Sequence, residues 1–284
     1  MKIIIIAITT FLVFNVNLFA ADTTSYACKY KFIKRKDSTN LNSKLEDIMV
    51  LTINKNSTLY FSYLKQYSYR IIDAEIEKEN NRAGASTGGM VTINANSADF
   101  KEFQKSAGRE TEVLKIDFTR KMINVSNKFV EDNYVYVDSL TTPKWQIQNE
   151  TIAILNQQCQ KATTTFKGRN YTAWFASAIP YKYGPWFFNG LPGLILKVED
   201  DKQQFLFECV ELNSARSVIN VFKDYKACKK ISKQKMKGME KLEAQDPLAM
   251  MIQGGKTFTS TNANGESVPI KHKIRPYNPI DLTQ

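Results

Sequence analysis

The chain has 284 residues, 12% of them aromatic, and a formal net charge of +11. This length can bury a sizeable hydrophobic core, and the aromatic content favours β-structure over a helix bundle. The positive charges are scattered and are explained by solubility, although an anionic lipid, glycan or nucleic-acid surface would also suit them. With His272 as its single histidine, the chain lacks the base of a serine-hydrolase triad and the ligands of a histidine metal site.

The first 20 residues predict a secretory signal peptide. A short positive start, Met1-Lys2, precedes an apolar run over residues 3–14, and Ala20 offers a small residue at the cleavage site. Cleavage is expected after Ala20, or otherwise after Ala21. The apolar run is too short for a comfortable membrane span. We therefore expect a single exported domain over residues 21–284, periplasmic or secreted.

Four cysteines occur in this chain, an even number that fits disulfides in an oxidising compartment. Three pairings are compatible with the sequence, and buried free thiols are a further interpretation. The shorter loop favours Cys209 with Cys228, which leaves Cys28 with Cys159. No two cysteines are close together in sequence, so we expect no metal site.

The chain in order indicates mainly short β-strands separated by turns. Alternating apolar residues predict a strand over residues 26–32, and residues 48–53 and 59–64 predict a hairpin. Further strands are predicted over residues 114–118, 123–125, 129–137, 145–147, 152–155 and 217–222, with 204–212 paired to 194–198 across an acidic turn.

Helical spacing and capping residues predict a few helices around these strands. An insertion is expected to hold helices over residues 69–81 and 97–108 around a mobile, glycine-rich loop at 83–89. Residues 229–245 predict a basic amphipathic helix. Asp246-Pro247 predicts the start of a short helix that ends at Gly254-Gly255, and the prolines of residues 274–280 predict an extended end. We therefore predict a mainly β (α+β) fold, a large curved antiparallel sheet, bowl-like or an open barrel, with two or three peripheral helices.

Residues 159–198 are the most unusual part of the sequence, because eight aromatic residues lie between Tyr171 and Phe188 and are followed by a turn signature. The pattern indicates two strands joined by an aromatic loop that proline and glycine brace. Pro192-Gly193 predicts a type II turn in which glycine takes positive φ, so that Gly193→Ala should destabilise the fold by roughly 1 kcal/mol or more. The turn residues of this loop are Gly184, Pro185, Gly190, Pro192 and Gly193.

Two interpretations of these aromatic residues are open. Rings this dense in a sheet protein are usually core, and this interpretation is preferred. In it, strand alternation places Tyr171 on one face of the sheet and Trp174 on the other, so that both faces are supplied. In the other, Trp174, Tyr183 and Trp186 stack on sugars or line an apolar cavity with Tyr171, while Arg169 holds an anionic group.

Catalytic motifs are missing or weak. The glycines of this segment do not follow a strand and open a helix, as phosphate and dinucleotide loops require. A carboxylate pair could still hydrolyse glycosides, and Asp200, Asp201 and Glu208 lie near the aromatic segment, but acids in a hairpin turn are normally solvated. A cysteine nucleophile is disfavoured because exported cysteines usually form bridges.

The order of residues in this segment resembles the signature of the GLPGLI family, exported bacterial proteins named for the hexapeptide at residues 190–195. The resemblance rests on Cys159–Thr163, Phe166–Phe175 and Gly184–Trp186 as well, and the closing Tyr277–Ile280 also fits. Lys167 stands where the family often has arginine. The resemblance implies an exported protein of a family without an established molecular function, so no catalytic residues carry over.

The same resemblance implies similarity to the bowl-like N-terminal module of some secreted bacterial amidases that remove N-glycans, and hence an accessory role. We expect a non-catalytic binding or assembly module of the cell envelope, with a glycan, a lipid or an outer-membrane protein as partner, and neither nucleic acid nor a cofactor. Two alternatives are a glycan-acting hydrolase or accessory domain that uses carboxylates, and a periplasmic lipid or lipoprotein carrier. The carrier requires an unfilled concavity in the sheet.

Overall fold

The computed structural model describes residues 26–40, 42–67, 110–130, 132–213, 228–255, 260–261, 267–268 and 274–283. Several predicted features lie outside these residues: the signal peptide, the helices over 69–81 and 97–108, the loop over 83–89 and the strand over 217–222.

Twelve strands form one sheet. In chain order they are β1 (Tyr26–Arg35), β2 (Lys44–Ile53), β3 (Ser57–Ser62), β4 (Val113–Asp117), β5 (Met122–Phe129), β6 (Asp132–Ser139), β7 (Gln146–Ile154), β8 (Gln157–Phe166), β9 (Arg169–Ala176), β10 (Leu194–Asp200), β11 (Phe205–Asn213) and β12 (Lys229–Lys230). β13 (Ser260–Thr261) and β14 (Ser267–Val268) form a separate pair. The helices are α1 (Lys233–Gln245) and α2 (Pro247–Gln253), and residues 63–67 are also helical.

The large sheet consists of two meanders that meet in its middle. Its strand order is β12-β6-β5-β4-β3-β2-β1-β11-β10-β9-β8-β7, and every pair is antiparallel except β12 with β6. The chain therefore runs outward from β1 to β6, restarts at the opposite edge with β7 and returns to β11 beside β1. The sheet is mixed, mostly antiparallel and not closed, which confirms the predicted mainly β fold with a few helices.

Most strands lie where alternation and turn residues predicted them. The hairpin of β2 and β3 and the pairing of β10 with β11 are confirmed. Two predictions were wrong in detail. The strand expected over 129–137 begins only at Asp132, as β6, because Val130 takes positive φ in a tight turn after β5. The two strands expected over 145–155 form the single strand β7.

The sheet curves strongly, as contacts across its inner face show. β4 and β10 are five strands apart in the sheet order, which corresponds to roughly 24 Å in a flat sheet. Yet the ring of Phe118, directly after β4, stacks on that of Tyr183 with centroids 4.1 Å apart. Tyr183 lies beside β10, because its backbone oxygen accepts a hydrogen bond from the Ile195 amide at 3.0 Å. The ring contact forms because the sheet bends around the loop of residues 177–193.

The inner face is packed with side chains. Cys28, Tyr30 and Phe32 of β1 point inward and are at most 5% exposed, while the lysines between them point outward, as the alternation predicts. The Tyr30 hydroxyl donates a hydrogen bond to the backbone oxygen of Ile195 at 2.8 Å, which links β1 to β10 through the core. Buried residues of both meanders thus form one continuous core.

The two helices begin and end at the residues that the sequence indicates, with one difference. Residues 229–230 pair with β6 as β12, so α1 begins at Lys233, with the Ser232 side chain as its N-cap. Asp246 caps α2, its carboxylate accepting a hydrogen bond from the Ala249 amide at 3.0 Å. Met236 of α1 is fully buried, and Met239 and Leu242 pack beside it, which confirms the predicted apolar face.

Candidate functional site

The loop between β9 and β10 places its rings in the core. Phe188 lies at the centre, with ring contacts to Tyr171, Phe166 and Phe207. Trp186 packs edge-on against Phe166, Phe187 and Phe188, and only 4% of it is exposed. The segment therefore contributes most of its aromatic surface to packing.

The predicted ligand-binding residues lie in different surroundings. Tyr171 points into the core, whereas Trp174 lies on the other face of β9, where the Lys161 ammonium sits 6.0 Å from its ring. This split confirms the alternation predicted for β9. Tyr183 is half-buried, and Arg169 is buried. All of the five predicted residues except Arg169 belong to the hydrophobic core or pack against it, and their ligand-binding role stays a prediction.

The turn residues act mainly through close packing. Gly190 has a φ of +94°, but Gly193 is not in the left-handed region, so the predicted reason for glycine there was wrong. A Cβ on Gly193 would instead meet the Ala176 backbone, with the carbonyl carbon 2.6 Å away. The backbone oxygen of Asn189, which precedes Gly190, holds the same loop by accepting a hydrogen bond from Trp145 Nε1 at 2.8 Å.

Arg169, the first residue of β9, has its donors occupied by the protein itself. Its guanidinium donates to Gln204 Oε1 and Asn278 Oδ1, both at 2.8 Å, and to the backbone oxygens of Pro279 and Ile280 at 2.6 and 3.1 Å. The ring of Phe205 lies 4.6 Å away. Residues 277–282, which we call the C-terminal strap, are thereby attached to the start of β9.

The charge of Arg169 is balanced by Asp200. The guanidinium lies 3.6 Å from Asp200 Oδ2, and the side chains are 5% and 0% exposed. Asp200 Oδ1 accepts hydrogen bonds from the Gln204 and Phe205 amides, each at 2.7 Å. Burial lowers the pKa of Arg169, and nearby Tyr171 and Asp200 act in the opposite direction. Asp200 is therefore a structural partner of Arg169.

A second ion pair holds the strap. Lys167 Nζ lies 2.7 Å from Asp281 Oδ2, and the Asp281 side chain is only 4% exposed. Hydrogen bonds from Lys167 and Thr283 lower the pKa of Asp281 against the effect of burial. Lys167 occupies the two-residue turn between β8 and β9 with φ +49°, followed by Gly168 with φ +78°, as a type I′ hairpin requires.

A row of four half-buried rings lies along one rim of the sheet. Tyr26, at the start of β1, contacts Tyr181 with ring centroids 5.4 Å apart, and Tyr181 is 6.4 Å from Tyr183, which stacks on Phe118. We call these four residues the tyrosine row. Burial raises the pKa of Tyr26 and Tyr183. Rigid rings with hydroxyl groups at a surface suit an amphipathic ligand.

The opposite rim carries charged side chains beneath α1. Two ion pairs are formed there, Lys34 with Glu110 at 3.2 Å and Lys237 with Glu240 at 3.0 Å. Glu112, directly before β4, interacts with both pairs. We define the carboxylate cluster as Glu110, Glu112, Glu240 and Glu243 together with Lys34, Lys65 and Lys237.

Two carboxyls of this cluster have a pKa near neutral pH. Burial raises the pKa of Glu112 to about 7, with Glu240 and Glu110 adding to the rise and Lys237 and Lys34 opposing it. Burial likewise raises the pKa of Glu243 to about 7, against the effect of Lys65. Carboxyls of this kind are common in active sites and also in structural ion networks.

The tyrosine row and the carboxylate cluster lie at opposite ends of β4. Phe118 follows this strand and Glu112 precedes it, a separation of roughly 20 Å in an extended chain. Among these residues, only Tyr183 was predicted from the sequence as a ligand contact. The alternating positions of Tyr181 and Tyr183 in the sequence indicate that the two rings share a face. No sequence pattern indicates that Glu112 and Glu243 belong to one cluster, because only the folded chain brings them together.

The four cysteines are free thiols in the structure. Cys28, Cys159 and Cys209 are at most 2% exposed, and Cys228 is partly exposed. Among the described residues, no three cysteine, histidine or acidic side chains are arranged to hold a metal ion. The helices within those same ranges are all too short or too polar to cross a membrane.

Solved structures share this fold at low identity. The chain superposes on PNGF-II in its P21 crystal form with a TM-score of 0.52 and 13% identity, and in its C2 form with 0.51 and 14%. The alignments cover 79% and 78% of this chain but only 34% of PNGF-II. This likeness shows the fold alone, and the chain spans about a third of that protein. No curated protein matches the sequence.

The family resemblance is confirmed over a short stretch. Residues 164–197 match the model of a family described as "Protein of unknown function (Porph_ging)", which corresponds to the GLPGLI family. The matched residues run from the end of β8 through the Lys167-Gly168 turn, β9 and the aromatic loop into β10. This chain therefore carries, in the strap-bound and aromatic half of its sheet, the segment that identifies the GLPGLI family of unknown function.

Proposed function

We propose that the protein is an exported, non-catalytic binding module of the cell envelope, that an envelope glycan is its ligand, and that the tyrosine row is its binding surface. The half-buried rings of Tyr26, Tyr181 and Tyr183 carry this proposal. Their hydroxyl groups can hydrogen-bond sugar hydroxyls, and their edges offer apolar surface that is already ordered by stacking. Little side-chain entropy is therefore lost on binding.

The packed interior also supports this choice. Trp186, Phe188 and Tyr171 fill the inner face of the sheet beside the aromatic loop. A lipid carrier needs an unfilled concavity, which these packed rings disfavour. In PNGF-II the same fold is part of a longer chain, as expected of an accessory domain.

Calorimetric titration of the protein with soluble envelope glycans, in parallel with peptides and lipid vesicles, tests the proposal. We expect a glycan to bind, and Tyr183→Ala to weaken binding about tenfold, equivalent to 1.4 kcal/mol. Tyr134→Ala is the matched control, because this half-buried ring contacts Phe129 on another part of the sheet. No binding of any glycan, or equal binding by both variants, would refute the proposal, and binding of vesicles or peptides alone would assign another ligand class.

The carboxylate cluster favours one second candidate, a glycan-acting hydrolase. A carboxyl with a pKa of about 7, as for Glu112 and Glu243, can act as a general acid while a neighbouring carboxylate stays ionised. Hydrolysis of a chromogenic glycoside that is lost in both Glu112→Gln and Glu243→Gln would support it. Absence of turnover, or turnover unaffected by both substitutions, would reject it.

A further inference from the structure

One strand pair joins the two meanders of the large sheet. Within the described strands, β1 to β6 form one meander and β7 to β11 the other, and the two lie side by side where β1 pairs with β11. Apart from the two-residue β12, each other pair joins strands that follow one another in the chain. The pair β1–β11 is therefore the seam that holds the two halves together.

Cys28 and Cys209 lie on the two strands of this seam as diagonal neighbours, on the same face of the sheet. The register pairs Cys28 with Leu212 and Tyr30 with Cys209, and a bulge lies between Lys29 and Tyr30. Both thiols point to the inner face, 1% and 2% exposed. The two thiols are close enough for Cys209 to raise the pKa of Cys28.

The other two cysteines have different surroundings. Cys159 is fully buried on β8, which is three strands away from β11 in the sheet order. Cys228 lies next to β12 at the far edge of the sheet, beside β6. Geometry therefore distinguishes one pair among the four thiols.

We propose that Cys28 and Cys209 form a disulfide when the chain folds in an oxidising medium, and that this bond closes the seam between the two meanders. The pairing differs from the one favoured by loop length, Cys209 with Cys228 and Cys28 with Cys159. That preference rested on sequence distance, whereas antiparallel pairing brings together residues that are far apart in the chain.

A small disulfide such as oxidised glutathione is the electron acceptor in this reaction. The first cysteine thiolate attacks one glutathione sulfur, releases one glutathione thiolate and forms a mixed disulfide. The second cysteine thiolate then attacks the cysteine sulfur of that mixed disulfide and releases the other glutathione. Both cysteine protons end on the two glutathione thiols, so two cysteines are oxidised and one glutathione disulfide is reduced.

Burial decides when this reaction takes place. The folded seam excludes glutathione from both sulfurs, and the interaction with Cys209 together with burial raises the pKa of Cys28, which leaves little thiolate. Oxidation should therefore accompany folding, before the seam closes. The bond would close a loop of about 180 residues, and long loops gain the most from a cross-link.

Refolding the protein with oxidised and reduced glutathione, alkylating free thiols and sequencing unreduced peptides by mass spectrometry tests the pairing. We expect one cross-linked peptide pair that contains Cys28 and Cys209, retained in Cys159→Ser and lost in Cys28→Ser and Cys209→Ser. Reduction should lower the Tm of wild type and Cys159→Ser by roughly 5–10 °C and leave Cys28→Ser unchanged.

Any other linkage, such as Cys28 with Cys159, or four alkylated thiols after oxidative refolding, would overturn the proposal. Cys28→Ala serves as a second variant. Circular dichroism of the reduced proteins shows whether each variant folds, so that a loss of cross-link is separated from a loss of structure.

Discussion

Arg169 and the carboxylate cluster are two places where this protein buries charge, and they are compensated differently. Arg169 has one carboxylate, Asp200, and four hydrogen-bond acceptors around its guanidinium. In the cluster, the four glutamates outnumber the three lysines that face them. A fully paired charge fixes the position of two chain segments, whereas an incompletely paired one makes stability depend on pH.

The C-terminal strap links the two places. Asn278 bonds Arg169 and donates to the Arg35 backbone oxygen at 2.9 Å. Tyr277 lies close enough to Lys34 and Glu240 for each to affect its pKa, which burial raises. Substitutions at Arg169 and in the carboxylate cluster can therefore be compared by their effects on the free energy of unfolding.

The largest effect is expected from Arg169→Ala. It would leave the buried Asp200 carboxylate without its cation and release the strap, at a cost of about 3–5 kcal/mol in the free energy of unfolding. Denaturant titration measures this cost, and limited proteolysis should cut the strap first. Arg120→Ala is the control, since that side chain is 81% exposed and pairs with Asp117 at 3.7 Å, so a change within about 0.5 kcal/mol is expected. Equal effects of the two substitutions would contradict the assigned role of Arg169.

Gly193→Ala should destabilise by about 2 kcal/mol or more, because the new Cβ would collide with the Ala176 backbone at the end of β9. Thermal unfolding measures this effect. The collision lies at the end of β9, the strand that begins with Arg169. Gly238→Ala in α1 is the matched control: its Cβ meets nothing within 4 Å, so helix propensity should stabilise by about 0.5–1 kcal/mol. An unchanged Tm for Gly193→Ala would show that the loop can shift.

The carboxylate cluster should show its effect in the pH dependence of stability. Because the folded pKa of Glu112 and Glu243 is raised to about 7, the folded state binds more protons than the unfolded state above about pH 4.5. The stability contributed by each carboxyl is thus full at low pH and falls as the pH rises to 7. Solvent exposure reduces the loss to about 1–2 kcal/mol per carboxyl.

Glu112→Gln isolates one carboxyl of this pair. At pH 8 we expect it to unfold with a free energy about 1–2 kcal/mol higher than wild type, and at pH 5 with nearly the same value, because the neutral amide resembles the protonated acid. Urea titrations at both pH values give the comparison. A pH profile identical to wild type would mean that Glu112 is ionised in the folded state.

Sequence patterns anticipated the local features well. Alternation identified β1 and β9, and Asp246-Pro247 identified the start of α2, since caps and strand faces depend on residues a few positions apart. The error at the start of 129–137 arose because the prediction relied on local preference. Val130 is β-branched and disfavours a positive φ, but the hairpin imposes one on it in the turn.

By itself, the sequence determined the strand and helix periods, the turn positions and the family segment, because these follow from neighbouring residues. Only the tertiary structure decided that Arg169 meets Asn278, that Glu112 meets the charges of α1, and that Cys28 and Cys209 lie on neighbouring strands. The physical reason is that a curved sheet of two meanders brings together residues far apart in the chain, and its register decides which side chains meet.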